Sequence, residues 1–580
     1  MNMRCGAESW FGSTARSLVL MGVIAVAMAA CSPAPPPLQA DRLWVGEHII
    51  TFDDAHADAT AVAIEGERIV WVGRREDWRG DARETVELGD RALLPGFIDA
   101  HGHLSFSART ANLANVASPP VGAVGDIASL QSILRSYIGE RGIAPGEWVV
   151  GIGYDDSLIE EQRHPHRDDL DAVSDAHPIA LIHVSGHLAT ANSMALELAG
   201  ISKDTPDPPG GVIRRRAGGE PNGVLEETAT EAVRFTVMGG GDLSAADIHA
   251  ALDVYASHGI TTVQDGAASV AELERFAEVA DTDGLALDVE VYLAAMDPEF
   301  HMPEGLALGE YQNRVKLGGV KMFLDGSPQG KTAYLSEPYF VPPPGLDAEY
   351  RGYPMVPQDF VDAQVARFAG AGVPMLVHCN GDAAAEMLLD ALDKAAESAP
   401  LGDHRTVMIH AQTVREDQID RMAALGVVPS YFSAHTFYWG DWHRDSVLGP
   451  ERARRISPTR STLARNMPFT VHNDAPVVPP DMIRLVWATT NRLTRSGQVL
   501  GEAQRLDTLE ALRAVTANAA YQSFEECCKG TLTPGKQADL VVLSRNPLSM
   551  PAAELLDLEV VETVSRGATV FRAPNRGTNQ

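Results

Sequence analysis

The stretch ALLPGFIDAHGH, residues 92–103, decides the reading of the fold. An apolar, strand-like run ends in two histidines separated by one glycine. At that spacing both imidazoles leave a strand on the same face. Working outward, seven more apolar runs end in polar residues: GITTVQDG (259–266), LDVEVYLAA (287–295), VKLGGVKMFLDG (315–326), VPMLVHCNGD (373–382), RTVMIHAQ (405–412), GVVPSYFSAH (426–435) and PFTVHNDAP (468–476). Eight such runs alternating with helical stretches predict an α/β fold, a (β/α)8 TIM-like barrel, in which the strand ends converge on one pocket. The last barrel helix is expected at TLEALRAVTANAA (508–520), whose apolar positions repeat at helical spacing.

The His101-Gly102-His103 pair alone is weak evidence for a metal, because the chain has 18 histidines and a second such pair, His164 and His166. That second pair lies in the charged stretch EEQRHPHRDD and reads as solvated loop. The first pair gains weight from its company. His378 ends the fifth run, His410 the sixth and Asp474 the eighth, while Lys321 interrupts the fourth. A lysine inside an apolar barrel strand is an awkward cation. Either it pairs with Asp325 in a structural ion pair, or it serves chemistry; Lys331 is a rival lysine in a loop. Two imidazoles at one strand end suit a divalent metal, and Gly102 between them is expected to leave it space.

From residue 105 to 258 the chain is too long for a simple crossover and holds its own strand-like IALIHVSGH and a glycine-rich GGVIRRRAGGEPNGVL. An inserted subdomain over the barrel mouth is expected there, within a barrel spanning 95–529. Short β-like runs at 41–94, with the texture of a small antiparallel sheet, return at 530–575. They predict a composite β-sandwich built from both ends of the chain. At the N-terminus, Ser17–Ala30 is apolar and followed by Cys31. It is too short for a comfortable membrane span and reads as a signal peptide over 1–30. Ala29-Ala30-Cys31 resembles a lipoprotein signal, with Cys31 lipidated. The Pro-rich 31–40 is then a tether, and an exported, membrane-anchored protein facing the periplasm or outer membrane is expected.

With 47 Lys and Arg against 78 Asp and Glu the net charge is −31, which argues against an extended nucleic-acid surface. Five cysteines, two of them the adjacent Cys527 and Cys528, are too few and too irregular for a disulfide framework.

Taken together, LLPGFIDAHGH, VKMFLDG, VHCNGD, IHAQ, HNDAPV and GTLTPGKQADLVVL, in that order over about 41–575, resemble the amidohydrolase superfamily, in the branch of the N-substituted formamide deformylases and related metal-dependent hydrolases. The resemblance implies one or two divalent metal ions, zinc first among them. His101 and His103 with Asp474 would hold the more buried one, and His378 and His410 the second. It implies that Lys321 is a bridging, carbamylated ligand, and that Asp474 moves the proton of a metal-activated water. The implied substrate is a small amide-like molecule cleaved at a non-peptide C–N bond to an acid and an amine. Cyclic amides, ureas and amino-acid derivatives, or a metal-containing regulatory protein without catalysis, are the alternatives.

Several residues remain open at this level. His187 either touches substrate from the insert or is structural. His472 shares a face with Asp474 and is an extra contact to the pocket. Tyr438 and Trp439, in the aromatic YFSAHTFYWGDW after the seventh run, either wall an apolar substrate group or pack the loop. Asp325 is a further pocket contact if it does not pair with Lys321. Asp99 either orients a ligand or is structural. Cys379 points away from His378 as a buried thiol, and Arg214, Arg215 and Arg216 either attract a carboxylate or, as runs of charge usually do, form a solvated face.

Overall fold

A computed structural model describes residues 38–233, 243–303 and 307–574. The signal segment, Cys31 and all but the end of the tether lie outside the described residues. Gln39 and Ala40, placed in the tether by sequence, already belong to a strand.

The chain is mixed α/β around a curled parallel sheet. Eight strands follow one another in chain order through it: Phe97–Ile98, Ile260–Ala268, Asp288–Ala294, Val315–Phe323, Met375–Cys379, Val407–His410, Val428–Tyr431 and Thr470–Val471. The curl brings the first and last ends together, where Asp474 N–H donates to the His101 carbonyl (3.2 Å) and His103 N–H to the Ala475 carbonyl (2.8 Å). The strands read as near-continuous apolar runs because helices cover their outer face. Leu273, Phe276, Val365, Phe368, Leu388 and Leu392 supply that cover in one large core cluster.

The deciding stretch divides between two sheets. Ala92–Pro95 pairs antiparallel with Leu540–Leu543, and only Phe97–Ile98 joins the parallel sheet. Gly96 marks the change, its N–H bonded to the Asp539 carbonyl. The N-terminal sheet also departs from the antiparallel expectation: Gln39–Val45 pairs antiparallel with Ala61–Glu65 but parallel with Asp81–Glu87. This sheet and the one holding Leu540–Leu543 share a core of Trp44, Val62, Ile64, Leu93, Leu540 and Val542.

Residues 114–227 form a separate six-stranded sheet, in which Gly211–Arg215 and Pro221–Glu227 make a hairpin. Of the three arginines there, Arg214 and Arg215 are partly buried and Arg216 is exposed. Arg214 pairs with Glu226, Arg216 with Asp168, and Arg215 donates to the Ser202, Lys203, Thr205 and Gly219 carbonyls. The predicted helix 508–520 is two helices, Thr508–Ala514 and Ala517–Gln522. The break at Val515 frees its carbonyl to accept from Ile98 N–H at 3.0 Å, which ties the short first strand down.

Candidate metal centre and active site

Six residues named from sequence meet at the C-terminal mouth of the parallel sheet. Asp474 is the hub: its Oδ1 lies 3.2 Å from His103 Nε2 and 3.6 Å from His101 Nε2, and its Oδ2 3.9 Å from His410 Nε2. Lys321 Nζ lies 2.9 Å from His101 Nε2. The His378 and His410 rings are 4.5 Å apart, centroid to centroid.

Three of the histidines are oriented from behind. His101 Nδ1 donates to Gln264 Oε1 (2.9 Å) and His378 Nδ1 to Asp325 Oδ1 (3.1 Å); His410 Nδ1 bonds His472 Nε2 (3.1 Å), whose Nδ1 bonds Ser430 Oγ (2.8 Å). Committing each Nδ1 in this way leaves Nε2 as the lone pair turned inward, the arrangement that metal-binding histidines need. Burial holds His101, His378 and His410 well below the usual imidazole range, with Lys321 and neighbouring histidines adding to the effect, so all three are neutral ligands. Burial alone would raise the Asp474 carboxyl, but His103, His410 and His101 outweigh it and hold Asp474 ionised.

The residues fit a divalent cation. His101, His103 and Asp474 each offer a ligand atom within 4.8 Å of the others, and two imidazoles with a carboxylate are a donor set that suits zinc. Asp474 Oδ1 is buried without a hydrogen-bond partner, as a ligand oxygen would be.

Lys321 differs sharply from Lys316, five residues earlier on the same strand. Lys316 is buried between Glu290 (2.7 Å) and Glu525 (2.6 Å), which raise its pKa. Lys321 has no carboxylate within ion-pair distance among the described residues, and burial lowers its pKa to about 7. One lysine is a satisfied structural cation; the other faces the ligand cluster. The predicted alternative pairing of Lys321 with Asp325 does not form, because Asp325 is taken by His378 and by the N–H groups of Asn380, Gly381 and Tyr334.

Four sequence readings change here. Asp325 and His472, read as pocket contacts, are fully buried behind His378 and His410 and hold those rings in place. Gly102 makes room for the Asp99 carboxylate: a Cβ there would lie 2.4 Å from Asp99 Oδ2. Asp99 itself is buried with neither oxygen hydrogen-bonded, and burial with the nearby Asp474 raises its pKa to about 7. His164 is no solvated loop residue. It is buried beside His183, and both imidazoles face Asp156 (3.5 and 3.1 Å).

Trp439 is buried, edge-on to Phe432, with its Nε1 donating to Asp155 Oδ2 of the insert at 2.6 Å. Tyr438 is buried beside it, so this aromatic segment is largely packing between insert and barrel. His187, also from the insert, reaches the cluster with its ring 5.0 Å from that of His378. Cys379 is fully buried, as read. Sequence reasoning missed Gln264 and Ser430. The available signal was a polar residue facing inward near the end of an apolar strand, one position type among many.

Fold and donor set together define a metal-binding hydrolase, and the chain belongs to the amidohydrolase family, whose profile matches residues 84–571. It is similar to the N-substituted formamide deformylase of Arthrobacter pascens, 30% identical over 91% of this chain and 97% of that one. It is also similar to the protein LONG AFTER FAR-RED 3 of Arabidopsis thaliana, 29% identical over 88% of each chain. A metal-dependent hydrolase of Pyrococcus horikoshii OT3 shares the fold, with a TM-score of 0.68 and 24% identity over 88% of this chain and 99% of that one.

Proposed function

We propose that the protein hydrolyses a non-peptide, amide-like C–N bond in a small molecule, releasing a carboxylic acid and an amine. The observation that carries this reading is the Asp474 carboxylate, ionised and held among His101, His103 and His410 at the mouth of the sheet. His101, His103 and Asp474 would hold one divalent ion, with His378 and His410 placed for a second and Lys321 between them, and the metal would supply an activated water and a charge that polarises the carbonyl. Asp474 takes a proton at Oδ2, the carboxylate oxygen not turned to His101 and His103, and returns it to the leaving nitrogen. Asp325, Gln264 and His472 keep the imidazoles turned inward throughout. Lys321, uncompensated and buried, suits carbamylation: its Nζ gains a bond to the carbon of carbon dioxide, loses a proton and becomes an anionic ligand.

The similarity to an N-substituted formamide deformylase makes N-substituted formamides the first substrates to try. The test is a panel of N-formyl, N-acyl and cyclic amides and ureas, run on zinc-loaded protein beside Asp474→Asn. Turnover of one class by the wild type, falling by about 10²–10⁴-fold in the variant with metal retained, supports the reading. A near-normal rate in Asp474→Asn overturns the assigned proton transfer. We also propose export with a lipid on Cys31, on the sequence alone; Cys31→Ser then moves the protein from the membrane to the soluble fraction.

A further inference from the structure

The insert brings to the ligand cluster a residue pair that the reaction above does not use. Glu227 ends the strand Pro221–Glu227 at φ 47° and ψ −122°, a backbone conformation that glycine dominates because a Cβ crowds it. A glutamate held there is strained, and its side chain is 1% exposed. Glu227 Oε2 accepts from His187 Nδ1 at 2.7 Å, and Glu227 N–H donates to the His187 carbonyl at 2.8 Å, so one residue fixes both ends of the histidine.

The surroundings are shaped to admit this carboxylate. Glu227 Oε1 is buried with no hydrogen-bond partner and lies over Gly326, at the end of the Lys321 segment, where a Cβ would stand only 2.1 Å from it. With Nδ1 committed, His187 has only Nε2 to offer, and its half-buried ring sits beside His378. His410 and Asp474 are likewise non-glycine residues at positive φ, 70° and 56°. Strain of this kind gathers where geometry serves function.

We propose that His187 Nε2 hydrogen-bonds the scissile group of the substrate beside His378, and that Glu227 is the residue that positions it. This rests on the hydrolase reading. A purely structural Glu227 would gain nothing from a glycine-type backbone or an orphaned oxygen, since a glycine would fit the turn without strain.

The test uses full-length, zinc-loaded protein and the amide that the wild type hydrolyses fastest. Glu227→Gln and His187→Asn are expected to lower kcat/KM by about 10–100-fold, mainly through kcat, with metal content and melting temperature near wild type. Glu227→Gly is expected to melt above Glu227→Ala, because both lack the carboxylate and only alanine keeps the strain. Wild-type kcat/KM within twofold in both Glu227→Gln and His187→Asn overturns the proposal. Loss of metal in those variants, or a glycine variant that melts no higher than the alanine one, overturns it too. A wild type inactive on every amide overturns the hydrolase reading instead, and the melting comparison still decides whether the backbone at Glu227 is strained.

Discussion

Lys321 Nζ approaches His101 Nε2 to 2.9 Å, both side chains fully buried, a contact that two cations could not hold. The contact requires a neutral imidazole to accept it, and burial, with the neighbouring Lys321, enforces that, while burial also lowers the amine to about 7. On the proposed function, Lys321→Ala removes a metal ligand and leaves His101 facing a void. Zinc content by mass spectrometry is expected to fall from stoichiometric to near zero. Turnover falls beyond the roughly 10–100-fold cost of disturbing a residue that only orients a ligand. Normal zinc in the variant would show Lys321 to be dispensable for metal binding.

His472 gives a graded case. It touches His410 through one hydrogen bond and rests on Ser430 through another, so its hydrogen bond to the cluster runs through His410, with its ring also edge-on to His101 at 5.3 Å. His472→Ala is expected to weaken metal binding by about 10–100-fold in a chelator competition while the other ligands stay in place. Ser430→Ala, one bond further back, is expected to cost less. Equal losses in the two variants would mean that packing rather than the hydrogen-bond chain sets the effect.

Much of this site was legible because barrels turn sequence order into geometry. Each strand delivers its last residues to one mouth, so His101, His378, His410 and Asp474 could be placed together without knowing any loop. What was not legible is which side of a ligand a neighbouring polar residue occupies. Asp325 and His472 share strand or loop segments with the ligands, yet they point behind the rings, and spacing alone does not separate those outcomes. Glu227 was invisible for a different reason. Its role depends on a backbone conformation and on Gly326 from a segment about a hundred residues away. The short first strand was misread because an unbroken apolar run hid the Gly96 change of sheet.

Trp439 separates packing from substrate contact. Its indole donates to Asp155, a buried carboxylate of the insert that also accepts from Ser157. Trp439→Phe keeps the ring but removes that donor, which costs about 1–3 kcal/mol of stability because a buried acceptor is left short. The melting temperature is expected to fall with KM unchanged. A raised KM at constant stability would return the residue to the substrate wall.

Acid sensitivity is the last expectation, and it concerns His443. Burial lowers its pKa to about 3; its Nε2 bonds His435 Nδ1 at 3.0 Å, and its own Nδ1 is buried without a partner. The folded protein therefore keeps His443 neutral down to about pH 3, while the unfolded chain protonates it near 6.5. Unfolding takes up a proton throughout that interval. The stabilisation is complete above pH 6.5 and is lost as pH falls toward 3, at up to about 1.4 kcal/mol per pH unit for this group. His164, also lowered to about 3 by burial against the opposing pull of Asp156, adds a second contribution of the same sign. His443→Gln has nothing to protonate and keeps an amide to bond His435. Its melting temperature is expected to fall less steeply than that of the wild type between pH 6.5 and 4, and the two curves should run parallel above pH 7. Equal slopes below pH 6.5 would mean that His443 does not titrate on unfolding.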